Sequence, residues 1–478
     1  MKLALLAVLS IKVIFAFAQY EKTFIPSPFQ DTIPSHIYDR LKKRLEVDKT
    51  NVTTKGKEGN YIKSLYDQRF EYVVNSFNDD YFILDHPLTS TLRKIADRIY
   101  DANPDLPREL DIYTYRSSVP NAISFGEGTI GVMLGLLERL ETEDQLAYIL
   151  CHEFAHYYAR HAERNFARLA ALNYDKDLKY KINDIKNSPY RKYSKLKALF
   201  HSLDLSVTRH SRNSEFEADS LGLLYYLKTG YNRHAPLRVM QLLENADTGL
   251  YRNNIDFKKH FSFEAFPFKD SWTSYSKSNI VYAPVRNSED TLKTHPNCQK
   301  RFDRLKRQLG IKEADTTQLK AGTSFKSLSQ LASLEIISSE YHFRHYGKAL
   351  FYALVLTDSF PNNPYPHAMV AKSLYQLYRA QKDHNLHEVL ELPNPRQEEN
   401  YDRYLTFVNK LRLSEFANLA YEYVTTRPAG FYADEEFIHA LWRCSTFEFS
   451  KMDEAKIVAE YEQLYPEGKY IPEMKNHK

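Results

Sequence analysis

Two histidines stand four residues apart in the run LAYILCHEFAHYYARHAER, with a glutamate directly after the first: His152, Glu153 and His156. On a helix turning about 100° per residue their directions differ by only about 40°, so both imidazoles aim at one point. That suits Zn²⁺, which accepts two nitrogens and a carboxylate and leaves a fourth position for water. Glu153 lies about 100° from His152 and about 60° from His156, placed to act on that water as a general base without ligating the metal. The chemistry implied is metal-assisted hydrolysis.

A third protein ligand is needed. One known pattern puts a glycine three residues and a histidine six residues after the second histidine, but Ala159 and Ala162 stand there. His161 comes one residue early and points about 140° from His156 on a continuous helix, which makes it a surface or packing histidine. A carboxylate from a second helix is the other route, and EFEAD offers Glu215 and Glu217. These are about 160° apart on a helix, so only one can face the metal. Glu215 shares its stripe with Asp219 and with the small residues Ala218 and Gly222, which would let the two helices approach closely. Glu215 is therefore the expected ligand, with Asp219 orienting a ligating histidine.

The elements that must position these groups can be read around them. Thr142 and Gln145 are spaced as a capping box, so the histidine-bearing helix should begin there and run to about residue 164. Upstream, TSTLRKIADRIYDA has helical spacing, ELDIYTYRSS alternates as a strand, and NAISF, GEG and TIGVM read as a β-hairpin. Downstream, EFEADSLGLLYYLKTG is a helix that Gly230 can end. The stretches 165–200 and 250–290 are expected to be lids over the site, the second a long loop.

Beyond about residue 320, amphipathic helices are punctuated by Pro361, Pro395, Pro428 and Pro466, at spacings of 34, 33 and 38. A period near 34 is that of tetratricopeptide-like helical pairs, and Ala349 falls where such repeats place a small residue. Such arrays offer a concave surface to a protein partner. The expected organisation is a leader at 1–18, an N-terminal extension at 19–85, a metallopeptidase domain at 86–310 and a helical repeat domain at 320–478. The fold class is α+β and mainly helical.

Composition narrows the compartment and the partners. The first residues combine Lys2, an apolar stretch interrupted by Lys12, and the small-x-small end Ala16-Phe17-Ala18. They read as a secretory leader cut before Gln19, with apolar runs shorter than the ~20 residues of a spanning helix. The mature chain is thus expected to be exported, periplasmic or extracellular, without a transmembrane anchor. Loss of two lysines takes the formal charge from +4 to +2, which gives no argument for nucleic acid. Cys151, Cys298 and Cys444 form no Cys-x-x-Cys pair, leaving room for one disulfide at most. Cys151 reads as a small packing residue.

Taken together, VPNAISFGEGTIGVMLGLLERLETEDQLAYILCHEFAHYYARHAER at 119–164, EFEADSLG at 215–222 and THPNCQKRF at 294–302 resemble the zinc endopeptidases that include the CAAX prenyl protease, HtpX and BepA. The resemblance spans roughly residues 86–310 and is nearest to the exported, repeat-bearing BepA branch, since the membrane helices of the other two are missing. It implies a gluzincin-type zincin fold with one Zn²⁺ per chain, held by His152, His156 and Glu215, with Glu153 as base. It implies further that His295 is a transition-state stabiliser or an inhibitory fourth ligand. Arg301 would make a charge-assisted contact within the domain, and Asn121 and Ala122 would lie on an edge strand that holds an extended peptide. The expected function is zinc-dependent endoproteolysis of unfolded or misassembled exported proteins. A different class of function is a chaperone or assembly scaffold whose zinc site is held closed by His295. A peptidase of thermolysin type would share the ligands but not the hairpin before the helix.

Overall fold

A computed structural model describes residues 24–30, 32–175, 180, 212–244, 253–274, 298–312, 323–393 and 398–476. The leader expected at 1–18, most of the lid expected at 165–200, His295 and Pro395 lie outside the described residues. Contacts divide the chain into two units: Ser27–Asp247 with Arg286–Ala332, and Met1–Pro26 with Thr248–Val285 and Ser333–Lys478.

The first unit opens with two helices, α1 (Ser35–Thr50) and α2 (Gly56–Asn78), in a stretch whose sequence shows no strong period. The stripe exists but is sparse: Ile37, Leu41 and Leu45 on α1 are four residues apart, and Ile62, Tyr66, Val73 and Phe77 line one side of α2. Ile37, Leu41, Val73 and Phe77 share one core with Phe82, Tyr113, Tyr115 and Phe125. The extension is thus built into the same core as the sheet.

That sheet has four strands in the order β1-β2-β4-β3, with β1 at Phe82–Ile83, β2 at Asp111–Tyr115, β3 at Ala122–Ser124 and β4 at Thr129–Met133. β2 and β4 run parallel and the outer pairs antiparallel. The alternation seen in β2 separates two buried faces. Tyr113 and Tyr115 enter the core shared with α1 and α2, while Thr114 Oγ1 lies 3.0 Å from Thr89 Oγ1 of α3 (Pro87–Ala102). The β3–β4 hairpin pairs Ala122 with Val132 and Ser124 with Ile130. Its turn needs glycine at Gly126 (φ +87°), where a Cβ would fall 2.4 Å from Cβ of Ala162.

After α4 (Leu134–Arg139), the histidine-bearing helix α5 (Glu143–Tyr158) starts at the expected cap. Thr142 Oγ1 accepts from the Gln145 N–H at 3.3 Å, and Gln145 Oε1 accepts from the Thr142 N–H at 3.2 Å. Every residue from Gln145 to Ala155 is buried, so α5 is a central helix rather than a surface one. It stops earlier than the sequence suggests. Arg160 adopts φ +53°, ψ +45°, a left-handed conformation that turns the chain into α6 (His161–Tyr174). A helix over 212–228, α7, ends in a turn at Gly230 (φ +76°). α8 (Ala235–Glu244) and α9 (Cys298–Leu309) complete the described part of the unit, apart from residues leading into a long helix, Thr323–His342.

The second unit is a succession of helices: α10 (Tyr346–Ser359), α11 (Pro364–Lys382), α12 (Glu399–Lys410), α13 (Leu413–Thr425), α14 (Glu435–Ser445) and α15 (Glu454–Leu464). Pro361, Pro428 and Pro466 each come two or three residues after a helix end, where a ring that cannot donate an N–H stops the helix. Residues 253–274, part of an expected lid, pack instead within this unit. Phe257 and Phe261 stack on Phe407 at 4.5 and 5.5 Å, and Trp272 is buried beside them. All three cysteines are buried and free. Among the described residues no helix is long and apolar enough to cross a membrane.

Candidate metal centre

α5 and α7 meet at a glycine. A Cβ on Gly222 would lie 2.9 Å from Cα of His152 and 3.0 Å from the Cys151 carbonyl oxygen, so only hydrogen fits between the helices there. This close approach brings Glu215, about two turns earlier on α7, over the histidines of α5. His152 Nε2 and His156 Nε2 are 3.0 Å apart. The Glu215 carboxylate lies 3.6 Å from the first and 3.4 Å from the second. Among the described residues, these three form the group whose ligand atoms all fall within 4.8 Å of one another.

Zn–N and Zn–O bonds of about 2.0–2.1 Å in a tetrahedron place neighbouring ligand atoms about 3.3 Å apart. The two Nε2 atoms, 3.0 Å apart, and the nearest Glu215 oxygen to each, Oε2 at 3.6 Å from His152 and Oε1 at 3.4 Å from His156, lie close to that value. Two imidazoles and one carboxylate are also a donor set suited to zinc. The residues present fit the ion.

Charge behind the trio is arranged around Arg301, whose side chain is 2% exposed. Its Nε and Nη2 donate to Asp219 Oδ2 and Oδ1 at 2.7 and 2.8 Å, and its Nη1 lies 3.0 Å from Glu215 Oε2. Burial pushes both acids toward the neutral form, but the guanidinium and His152 outweigh it. Glu215 is held well below the usual carboxylate range and Asp219 at about 2. Asp219 in turn lies 3.1 Å from His152 Nδ1, off the line of a straight hydrogen bond, and accepts from the Tyr148 hydroxyl at 3.2 Å. Burial opposes charge on His152, yet these two carboxylates raise its imidazole to about 10.

Glu153 is buried and, with Asn121 and Ala122, lines a cavity of about 220 Å³ that also reaches His152, His156 and Glu215. β3 lies at the end of the strand order, so among the described residues one of its edges carries no strand. The Asn121 carbonyl oxygen accepts from Met133 and the Phe125 N–H donates to Thr129. By alternation, Ala122 and Ser124 turn their backbone groups to the unpaired edge. The Ala122 N–H is covered there by Asn121 Oδ1 at 2.9 Å.

Residues 87–309 match peptidase family M48. The match covers β2, β3, β4, α5, α7 and α9, and so every described residue of the site. A second comparison aligns 187 residues at 24% identity with the mitochondrial metalloendopeptidase OMA1 of Schizosaccharomyces pombe, covering 39% of this chain and 53% of that protein. The alignment spans about half the length of the curated relative.

Three groups around the site are not singled out by the sequence as parts of it. Tyr148 lies one turn before His152, a position that buried helices commonly give to packing. His161 and Glu217 were set aside because the wheel of a continuous helix turns them away. The break at Arg160 changes that: His161 Nδ1 lies 2.8 Å from His156 Nδ1, and its Nε2 lies 3.3 Å from Glu217 Oε2.

Proposed function

We propose that the M48 domain is a zinc-dependent endopeptidase, with His152, His156 and Glu215 as ligands and Glu153 as general base. The observation that carries this is the convergence of the three donors, their ligand atoms all within 4.8 Å of one another, with Glu153 in the adjoining cavity. Zinc held there would supply a Lewis acid that polarises the scissile carbonyl and acidifies a water. Glu153 would take the proton of the attacking water and return it to the leaving amine. Asp219 steadies the His152 ring, and Arg301 keeps Asp219 and Glu215 ionised so that they can do so. An extended polypeptide would add to the free edge of β3, accepting and donating through Ala122 and Ser124 once the Asn121 amide moves off the Ala122 N–H.

Unfolded or misassembled exported polypeptides are the proposed substrates, since strand addition needs a segment already free of structure. The exported compartment rests on the basic, apolar and small-residue pattern at 1–18. The helices of the second unit, with prolines at repeat-like spacing, are proposed as a tetratricopeptide-like surface for a protein partner. Incubation of the purified chain with unfolded casein tests the reading. The wild type should give internal cleavages, and Glu153→Gln should retain zinc while losing at least about a hundredfold in rate. Equal cleavage by both would exclude Glu153 as the base.

A further inference from the structure

His156 turns Nε2 toward His152 and Glu215 and Nδ1 away from them. Behind it stand two residues that the proposed mechanism does not use. His161 Nδ1 lies 2.8 Å from His156 Nδ1, with the two rings 4.7 Å apart and at 80°. Two imidazole nitrogens at that distance need one proton between them. A metal on Nε2 of His156 leaves the proton on its Nδ1, so His161 must accept there. The remaining proton of a neutral His161 then sits on Nε2, 3.3 Å from Glu217 Oε2. Arg164 Nη2 donates to the same Glu217 oxygen at 2.9 Å.

The backbone is built for this contact. On an unbroken helix His161 would face away from His156, and the left-handed Arg160 is what returns it. His161 is buried, whereas the Glu217 side chain is 43% exposed at the wall of a cleft shared with His156 and Glu215.

We propose that His161 and Glu217 are positioning residues that fix the tautomer and ring orientation of His156, as Asp219 does for His152. The two ligating histidines thus have separate supports: a carboxylate directly behind one, and a histidine backed by a carboxylate behind the other. This rests on the metal-centre reading above. Such outer partners usually carry about ten- to a hundredfold in metal affinity.

The test is zinc affinity of the full chain by chelator competition, together with the visible spectrum of the cobalt-substituted protein. Wild type, His161→Phe, Glu217→Gln and His156→Ala are compared, with the melting temperature of each metal-free protein as a folding control. His161→Phe should weaken zinc about ten- to a hundredfold and Glu217→Gln by a smaller factor, both with altered cobalt bands. Glu217 is exposed enough for its variant to keep the wild-type fold, so the proposal stays testable if His161→Phe does not fold. Zinc affinity and cobalt bands unchanged in the folded variants would overturn the positioning role while leaving the centre intact. A wild type that binds no zinc, or a His156→Ala protein that binds it equally well, would overturn the centre itself and the proposal with it.

Discussion

Arg301 decides whether the acids behind the metal centre can be charged. It is almost wholly buried and faces two carboxylates, forming a forked pair with Asp219 and a single contact with Glu215. Such a cluster is costly to break from one side, because the partners are left buried and uncompensated. Arg301→Met should therefore destabilise the metal-free protein by about 3–5 kcal/mol, read by denaturant unfolding. A loss below about 1 kcal/mol would mean that water already screens the cluster. At this scale the sequence was informative where helical geometry is local. The four-residue spacing of His152 and His156 and the shared stripe of Glu215 and Asp219 follow from one turn of helix, and the structure brings these four residues together. His161 and Glu217 were not legible, because their contact depends on one backbone angle at Arg160, a residue type that gives no sign of a left-handed turn.

Between elements, the controlling feature is the approach of α7 to α5 at Gly222. An added methyl would meet backbone atoms at 2.9 to 3.0 Å, and backbone in a buried helix cannot swing aside as a side chain can. Gly222→Ala should displace α7, costing about 1–3 kcal/mol as overpacking does, and should lower zinc affinity more than stability alone explains. Zinc titration beside thermal melting separates the two effects; unchanged affinity would show that α7 absorbs the methyl without moving Glu215. The hairpin and the cap of α5 were readable because turn and capping residues act over three or four positions. The helices of residues 35–78 were not, since their apolar stripes are diluted by exposed side chains such as Val47 and Tyr72 and are completed only by Phe82, Tyr113 and Phe125 from elsewhere in the chain.

Over the whole molecule, the two units can be followed separately, because both tryptophans, Trp272 and Trp442, belong to the C-terminal one. Within it, Lys372 and Glu436 form a buried pair at 2.5 Å, and Lys469 pairs with the same carboxylate. Burial opposes the charge on Glu436, but the two ammonium groups prevail and hold it at about 2. A carboxylate depressed on folding contributes stability above its ordinary value of about 4.5, and that stability is lost as pH falls toward 2. Tryptophan fluorescence should report an acid transition of this unit in that window. Glu436→Gln should show a flatter dependence there, and an identical acid limb would remove the pair from the account. The prolines that end helices in this unit were visible in sequence, whereas the role of residues 253–274 was not. Their aromatic run looks like a loop until Phe407 is set beside it.

The central claim is that His152, His156 and Glu215 hold one metal ion. It is tested most directly by measuring zinc content and affinity for the purified full chain beside Glu215→Ala and Glu217→Ala. The account predicts one zinc per wild-type chain, zinc lost in Glu215→Ala, and zinc retained with weaker affinity in Glu217→Ala. Zinc bound as tightly by Glu215→Ala as by the wild type, or a wild-type chain that takes up none, would contradict it.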